Sequence, residues 1–281
     1  SREGVMMSVS ELLQDVRRMF TGEPDLAVFF GYDPAQIACD EELLAAVLAA
    51  CLAEGRARDR LRALAREVFV QDPQALEMAL GDLLASATRD RDPGGMATTL
   101  HFSNGFHLLL SYRVTRALWL AGREALALTL KGQFTRALGG EIWPQAQIGR
   151  GVWLDHGLGV VIGQTAEIED DVCLWHGVTL GSTLAALGPN RHPIVRRGVT
   201  IGSGATLLGG IEIGAGAVTV GTAWARVESG DHYPSDVLVG MALGNFMGAF
   251  FAQTFLGVEP DANLAFGAEP VRGGAMLHWE M

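Results

Sequence analysis

The sequence predicts an all-α N-terminal domain followed by a parallel β-solenoid built from six-residue repeats. Apolar residues recur at helical spacing through the first part of the chain. From Ile142 to Gly230 an aliphatic or small residue instead returns every six positions, which is typical of a solenoid and not of a globular sheet. We therefore expect a helical domain at 1–139, a solenoid domain at 140–236, and a final strand, an apolar helix and a tail at 237–281.

The composition limits the classes of function. A chain of 281 residues with 49% apolar residues can form one large or two modest domains with full cores. Its 32 acidic and 21 basic residues give a net charge of −11, which argues against a nucleic-acid-binding protein because phosphates require a basic surface. The cysteines Cys39, Cys51 and Cys173 lack zinc-site spacing, and no secretion signal opens the sequence. We expect a cytoplasmic protein without a metal.

The first 90 residues contain several predicted helices, with a short apolar piece at 26–31. Asp72 and Pro73 form a typical helix start, with Asp as the N-cap and Pro in the first turn. These helices have more apolar surface than isolated helices can carry, so they pack on each other or on other subunits. The predicted helical ranges are 8–20, 34–54, 57–70 and 73–88.

The chain then turns before it enters the solenoid. The sequence RDPGG at 91–95 breaks the helical pattern, because Pro and Gly favour a turn. Residues 101–136 are mostly helical again, and we expect His107 to be a packed, hydrogen-bonded histidine. Gly139 and Gly140 lead into the first repeat.

Each six-residue block is expected to form one flat face, so that three blocks make one triangular coil of about 18 residues. The first residue of each block points inward and stacks on its equivalent one coil away. Residues 181–194 interrupt the repeat as a loop. The predicted inward positions are Ile142, Ile148, Leu154, Val160, Ala166, Val172, Val195, Ile201, Leu207, Ile213, Thr219 and Ala225.

The segments RDP at 91–93, GFH at 105–107, LDH at 154–156 and RHP at 191–193 follow one another along the chain, and together they resemble the serine O-acetyltransferases. The hexapeptide repeats alone indicate only the wider acyltransferase superfamily, whereas LDH and RHP behind a helical domain with RDP and GFH are more specific. The resemblance implies a left-handed parallel β-helix, an exception to right-handed crossovers. It also implies transfer of the acetyl group of acetyl-CoA to the hydroxyl of L-serine, giving O-acetylserine. The matching segments are RDP at 91–93, NGFHLLLSYR at 104–113, IGRGVWLDHGLGVVIG at 148–163, VTLG at 178–181 and RHP at 191–193.

Direct acetyl transfer requires a base, a donor for the oxyanion and two substrates held together. His156 is the predicted base, because packing gives no reason for a histidine within a repeat block and because it matches the family's catalytic histidine. Glu141 occupies the position of the acidic residue that orients this histidine in the family. Trp143 replaces the histidine that usually lies beside it.

The resemblance also implies the residues that bind the amino acid. Asp92 and Asp155 would bind the substrate ammonium group, Arg191 would pair with its carboxylate, and His192 would lie near the hydroxyl. For each residue the alternative is an exposed polar group on a turn, and Asp92 before Pro93 has such a role available.

Acetyl-CoA is expected to lie along the groove between adjacent solenoids and to contact backbone amides of the later coils. Corner glycines without a ligand are an equally compatible reading of the same positions. Arg196 and Arg197 are as compatible with solvated corner residues as with a site for a phosphorylated ligand. The positions expected to bind the donor are Gly181, Gly202, Ser203, Gly204, Ala205 and Arg196.

The sequence departs from the family pattern at the edges of the site. Gln164 replaces a glutamate, the interrupting loop lacks the family's lysine, and Trp175 and His176 are bulky for their coil. His176 is either a second acid/base group or a buried or subunit-facing histidine. The departures keep alternatives open: another hydroxy-amino acid such as homoserine or a specialised-metabolite precursor, another acyl group, or a non-catalytic regulatory or scaffold protein.

The resemblance further implies trimers through the solenoid, paired into hexamers through the helical domain. Family members dock into cysteine synthase through a C-terminal isoleucine, whereas this sequence ends in HWEM, so that partner is not predicted. Residues 237–258 carry no charge, and a membrane helix there is the alternative to a strand and helix that cap the solenoid.

Overall fold

The computed structural model describes residues 9–52, 56–90, 94–183, 188–214, 218–219, 265–271 and 274–280. Residues 1–226 belong to one compact unit and residues 227–281 to a second. Within the first unit, helices come first and strands follow, as the sequence predicts. The expected limit at 139–140 lies between the last helix and the first strand of this unit, and as a domain boundary it stays a prediction.

The described helical part consists of α-helices and one 3₁₀ turn that all precede the first strand. The predicted helices at 8–20, 57–70 and 73–88 agree with the structure within two residues. Asp72 caps its helix as expected, because its carboxylate accepts a hydrogen bond from the N–H of Ala75 over 3.1 Å. The helices are α1 (Val9–Gly22), α2 (Leu26–Phe30), α3 (Asp40–Ala50), α4 (Arg56–Gln71), α5 (Pro73–Arg89), α6 (Gly95–Phe102), α7 (Asn104–Leu120) and α8 (Glu124–Leu138), with a 3₁₀ turn at Pro34–Gln36.

Twelve short strands form the left-handed parallel β-helix. They pair in the orders β1-β4-β7-β10, β2-β5-β8-β11 and β3-β6-β9-β12, which we call the first, second and third faces. The strands are β1 (Glu141–Ile142), β2 (Gln147–Ile148), β3 (Trp153–Leu154), β4 (Val161–Ile162), β5 (Glu167–Ile168), β6 (Cys173–Leu174), β7 (Thr179–Gly181), β8 (Ile194–Val195), β9 (Thr200–Ile201), β10 (Thr206–Leu208), β11 (Glu212–Ile213) and β12 (Val218–Thr219).

The predicted register of the second coil is wrong by two residues. Ile142 pairs with Ile162, and Leu154 pairs with Leu174. The residues of this coil that pair with Ile142, Ile148 and Leu154 are therefore Ile162, Ile168 and Leu174, and not Val160, Ala166 and Val172. The latter three side chains are also fully buried, each two positions earlier, so a period of apolar residues could not distinguish the two registers. The cause is a longer corner after Leu154.

A buried ion pair joins the helices to the first coil. The Nε atom of Arg113, on α7, donates to Oδ2 of Asp82, on α5, over 2.8 Å, and both side chains are almost wholly buried. Arg113 also donates to the carbonyl of Ile148 over 2.7 Å, and Asp82 accepts from the N–H of Val152 over 3.0 Å. The coil that carries LDH is therefore fixed to two helices.

The second unit contains an antiparallel hairpin of β13 (Ala265–Val271) and β14 (Gly274–Glu280). The sequence analysis assigned this part of the chain to the tail that follows an apolar helix. The apolar segment 237–258 lies outside the described residues. Within the described part of the chain, no helix is both long and apolar enough to cross a membrane.

Candidate active site

The predicted base lies at one corner of the solenoid, between the third and first faces. We call residues 155–160, 175–178 and 202–205 the histidine corner. The N–H of Asp155 bonds to the next coil in the same way as that of Trp175, and the carbonyl of Leu158 accepts in the same way as that of His176. These equivalences leave two residues of the first coil without a counterpart, 156 and 157.

His156 is thus part of a two-residue insertion. Its φ of 56° lies in the left-handed region, which is uncommon for a residue other than glycine, and Gly157 follows with a φ of 73°. The side chain of His156 is 72% exposed. A residue outside the repeat has no inward position to fill, so its imidazole is presented to solvent.

Asn104, the first residue of α7, holds this insertion. Its Nδ2 atom donates to the carbonyl of His156 over 2.8 Å and to the carbonyl of Leu138 over 3.0 Å. The next residue, Gly105, is required by the close approach, since a Cβ atom there would lie 1.9 Å from the carbonyl oxygen of Leu154. The sequence analysis missed Asn104, although it begins the NGFH segment that carried the resemblance.

His107, in the same segment, is the packed histidine that the sequence predicts. A ring nitrogen lies 2.8 Å from the carbonyl of Leu100, and burial lowers the pKa of the imidazole.

The carboxylate of Asp155 lies between two imidazoles. Its Oδ1 atom is 3.6 Å from Nε2 of His156, and its Oδ2 atom is 3.3 Å from Nδ1 of His176. The Asp155 side chain is only 13% exposed, whereas that of His176 is half exposed. The expectation of a buried His176 is therefore wrong for the single chain, because the residue occupies a corner and not an inward position.

Glu141 has a different partner from the expected one. Its carboxylate pairs with the ammonium group of Lys131, on α8. That ammonium group also lies 4.0 Å from the centre of the Trp143 ring, a cation–π distance, which gives Trp143 a packing role here. Among the described residues, the carboxylate beside His156 is that of Asp155, so a role for Glu141 in orienting His156 stays a prediction.

Arg191 and His192 lie at another corner, between the first and second faces, which we call the arginine corner (163–166 and 188–193). The ring of His192 is buried over Gly163, where a Cβ atom would lie 2.0 Å from it. Its Nδ1 atom accepts from the N–H of Thr165 over 3.2 Å, so the proton of the neutral ring is on Nε2. Burial, with a smaller effect of Arg191, lowers the pKa of His192 and keeps it neutral.

The guanidinium of Arg191 is held by Gln164, whose side-chain oxygen accepts from Nη2. The backbone N–H of Arg191 donates to the hydroxyl of Thr165 over 3.2 Å. The Nε atom of Arg191 is buried and has no hydrogen-bond partner among the described residues. The substitution of glutamate by Gln164 therefore acts directly on Arg191, which keeps an uncompensated positive charge.

One chain does not bring all the predicted residues together. Asp155 and His156 lie at the histidine corner, whereas Arg191 and His192 lie one face away. Asp92 falls outside the described residues. The single chain thus presents two half-sites, each at its own corner.

The residues predicted for acetyl-CoA are divided in the same way. Gly202, Ser203 and Gly204 belong to the histidine corner, and the N–H of Gly204 donates to the carbonyl of His176 over 3.0 Å. Ala205 points into the core, so only its backbone faces outward. Gly181 ends β7.

Arg196 lies at the third corner and is already paired. It contacts Glu169 over 2.8 Å and Glu212 over 2.7 Å, and these carboxylates raise its pKa. The prediction that Arg196 binds the donor finds no support here, because its charge is neutralised and it lies away from the strip at 202–205. Among the described residues, no group of three His, Cys, Asp or Glu side chains is placed to hold a metal.

The comparisons with known proteins all point to the same family. The model of the serine acetyltransferase N-terminal family matches residues 10–111. The chain is 45% identical to a serine acetyltransferase of Salmonella typhimurium over 157 residues, which are 56% of this chain and 57% of that protein. It is 35% identical to a serine acetyltransferase of Buchnera aphidicola over 231 residues, 82% of this chain and 83% of that protein. A solved serine acetyltransferase in complex with CoA aligns with a TM-score of 0.66 and 37% identity, covering 74% of this chain and 88% of that one.

Proposed function

This chain belongs to the serine acetyltransferase family, and we propose that it transfers the acetyl group of acetyl-CoA to the hydroxyl of L-serine, giving O-acetylserine and CoA. The observation that carries the proposal is the exposed His156, inserted outside the repeat with the Asp155 carboxylate 3.6 Å away. Neither residue is needed for the core, so a chemical role accounts for both. The CoA complex of a relative supports CoA as the carrier of the acyl group.

The proposed reaction is a direct transfer. His156 accepts the proton of the serine hydroxyl while the oxygen attacks the thioester carbonyl carbon. The C–S bond then breaks, and the thiolate of CoA takes up the proton that His156 received. Asp155 lowers the energy of the imidazolium that exists between these steps.

The half-site at the arginine corner suits the other end of the amino acid. In the described chain the guanidinium of Arg191 is paired with the neutral amide of Gln164, and a substrate carboxylate would supply the missing negative charge. The neutral His192 would donate its Nε2 proton near the acceptor hydroxyl or the developing oxyanion. Asp92 and Asp155 are proposed to bind the ammonium group. Glu141 is proposed to hold Lys131 against Trp143 at the edge of the site, rather than to contact the ring of His156.

The backbone strip at 202–204 is proposed to bind acetyl-CoA. Ser203 is exposed and is flanked by Gly202 and Gly204, so the backbone is open to a narrow chain such as the pantetheine arm. The strip belongs to the same corner as His156, which supports a position of the bound thioester near the proposed base. Gly181 and Ala205 would border it through their backbones.

We propose that three chains assemble through their solenoids, so that the histidine corner of one chain meets the arginine corner of the next. The separation of the two half-sites by one face supports this arrangement. A dimer of trimers through the helical domain is proposed from the resemblance. The free thiols of Cys39, Cys51 and Cys173 fit a reducing, cytoplasmic location.

The activity is tested by CoA release from acetyl-CoA with a panel of hydroxy-amino acids. We expect turnover with L-serine, and a loss of at least about 100-fold in His156→Ala. Turnover only with another acceptor would move the assignment to that amino acid. No release with any acceptor would contradict the enzymatic function and favour a scaffold or regulatory role.

The shared site is tested by mixing two inactive variants. His156→Ala and His192→Ala chains would each be unfolded and refolded together. Mixed trimers contain junctions with both intact residues, so activity should return. If mixed chains stay as inactive as the separate variants while sedimentation confirms that they mix, the two corners do not form one site.

A further inference from the structure

His176 lies at the histidine corner but has no part in the reaction proposed above. It occupies the position in the second coil that Leu158 occupies in the first and Ser203 in the third. Its ring centre is 5.8 Å from that of His156, and the carboxylate of Asp155 lies between them. The three side chains form a row across two coils.

The geometry gives the two oxygens of Asp155 different partners. Oδ2 is within hydrogen-bond distance of Nδ1 of His176, at 3.3 Å. Oδ1 is 3.6 Å from Nε2 of His156. A carboxylate that is 13% exposed is stable only where it accepts hydrogen bonds, and within the described chain these two imidazoles are the partners that the Asp155 side chain has.

The expected partner of His156 is engaged elsewhere. Glu141 pairs with Lys131, on the side of the first strand that faces α8. Among the described residues, the carboxylate that lies beside the ring of His156 is that of Asp155, at 3.6 Å. A carboxylate stabilises an imidazolium best when one of its oxygens is already held toward the ring. A freely rotating carboxylate would have to be fixed during the reaction, which costs free energy.

We propose that His176 is a positioning residue that holds Asp155 by donating its Nδ1 proton to Oδ2, so that Oδ1 faces His156. This inference rests on the proposed acetyl transfer. The nitrogen of His156 nearest Asp155 keeps its proton, and the other ring nitrogen accepts the proton of the acceptor hydroxyl.

The inference is tested with two replacements of His176. His176→Leu removes the donor, whereas His176→Asn keeps an N–H donor close to the position of Nδ1. We expect the Leu variant to lower kcat with L-serine about tenfold, while the KM for acetyl-CoA stays unchanged. The Asn variant should recover most of the loss. Val70→Ala, at an exposed position of α4 outside both corners, is the control and should change kcat less than about twofold.

A double-mutant cycle separates positioning from direct contact with substrate. If His176 acts through Asp155, then His176→Leu should have little further effect in an Asp155→Asn background. Independent, multiplicative losses would overturn the inference, as would full activity of His176→Leu.

A spectroscopic measurement keeps the test independent of turnover. In ¹⁵N-histidine-labelled protein, Nδ1 of His176 should be protonated and its signal should shift in Asp155→Asn, while the His156 signals should shift in His176→Leu. A wild-type protein without activity but with these shifts would reject the proposed function and keep the positioning role. If the wild type is active and the His156 signals are the same in His176→Leu, the positioning role alone is rejected.

Discussion

Asn104 donates a hydrogen bond from its side-chain amide to the carbonyl of His156 over 2.8 Å, and this bond ties the start of α7 to the residue with a φ of 56°. A second bond from the same amide reaches the carbonyl of Leu138, at the end of α8. One side chain thus fixes the ends of two helices against the inserted dipeptide. The position of the proposed base depends on the helical part of the chain.

Replacing Asn104 by Ala should therefore reduce catalysis more than binding. Both carbonyls lose their donor and His156 can leave its left-handed conformation, so we expect kcat to fall about tenfold with small changes in KM. Steady-state kinetics with L-serine and acetyl-CoA measure this. Thr129→Ala, which removes a hydroxyl bonded only within α8, is the control and should leave kcat unchanged. A rise in KM alone would show that Asn104 supports binding and not the base.

Replacing Gln164 by Glu should weaken the binding of the amino acid. The new carboxylate would neutralise Arg191 and compete with the carboxylate of the substrate, so the KM for L-serine should rise about three- to tenfold. The KM for acetyl-CoA and kcat should stay within about twofold of the wild-type values. Gln147→Glu adds the same charge at an exposed position of β2 and serves as the control. An unchanged KM for L-serine would show that Arg191 does not bind the carboxylate of the acceptor.

Replacing Asp82 by Ala should destabilise the protein strongly. The change leaves the guanidinium of Arg113 buried without its carboxylate and removes the acceptor of the Val152 N–H, which together should cost about 3–5 kcal/mol. Urea unfolding followed by circular dichroism measures the loss. In contrast, Asp15→Ala breaks an exposed pair with Arg18 and should change the free energy of unfolding by less than about 0.5 kcal/mol. Equal losses in the two variants would contradict the buried pair as an anchor.

Replacing Asp40 by Asn should stabilise the protein near neutral pH. The side chain is 5% exposed and its Oδ1 atom has no partner in the described chain, and burial, aided by Glu41, raises the pKa of the carboxyl from 3.8 to about 6. The unfolded chain therefore loses this proton at lower pH than the folded one. The resulting loss of stability is absent below pH 3.8, grows as the pH rises toward 6 and is complete above it.

The Asn variant should consequently gain about 1 kcal/mol in the free energy of unfolding at pH 7.5 and nothing at pH 4. Asp25→Asn, at an exposed position, is the control and should change the free energy of unfolding at pH 7.5 by less than about 0.5 kcal/mol. A gain of equal size at both values would assign the effect to helix propensity or packing and not to ionisation.

The repeat and most of the helices could be predicted from the sequence, because both depend on short-range periodicity. The register of the second coil could not, since Val160, Ala166 and Val172 are as apolar as the residues two positions later. The sequence indicated that His156 does not fit the packing of the repeat, and the structure shows it outside the repeat. The sequence did not reveal that the corner carrying His156 is two residues longer than the equivalent corner of the next coil.

The pairing of charged side chains was the weakest part of the prediction. Glu141 was assigned by its position in the family motif and Arg196 as part of a basic cluster. The structure pairs Glu141 with Lys131, and Arg196 with Glu169 and Glu212. Asn104 and Lys131 come from helices that meet the solenoid only after folding. Contacts between residues distant in the sequence leave no periodic signal, and they determine which carboxylate faces which base.

The two inserted residues, 156 and 157, carry the proposed reactive group, whereas the stacked residues of the coils stabilise the fold. A shortened chain lacking these two residues would keep the stacked positions of the adjoining strands, and it would lose the imidazole together with the hydrogen bond that Asn104 donates to the carbonyl of His156. Corners of equal geometry occur at 176 and 203, where the chain has no such extension. An engineer could therefore add or move a reactive side chain by lengthening one corner, leaving the stacked interior as it is.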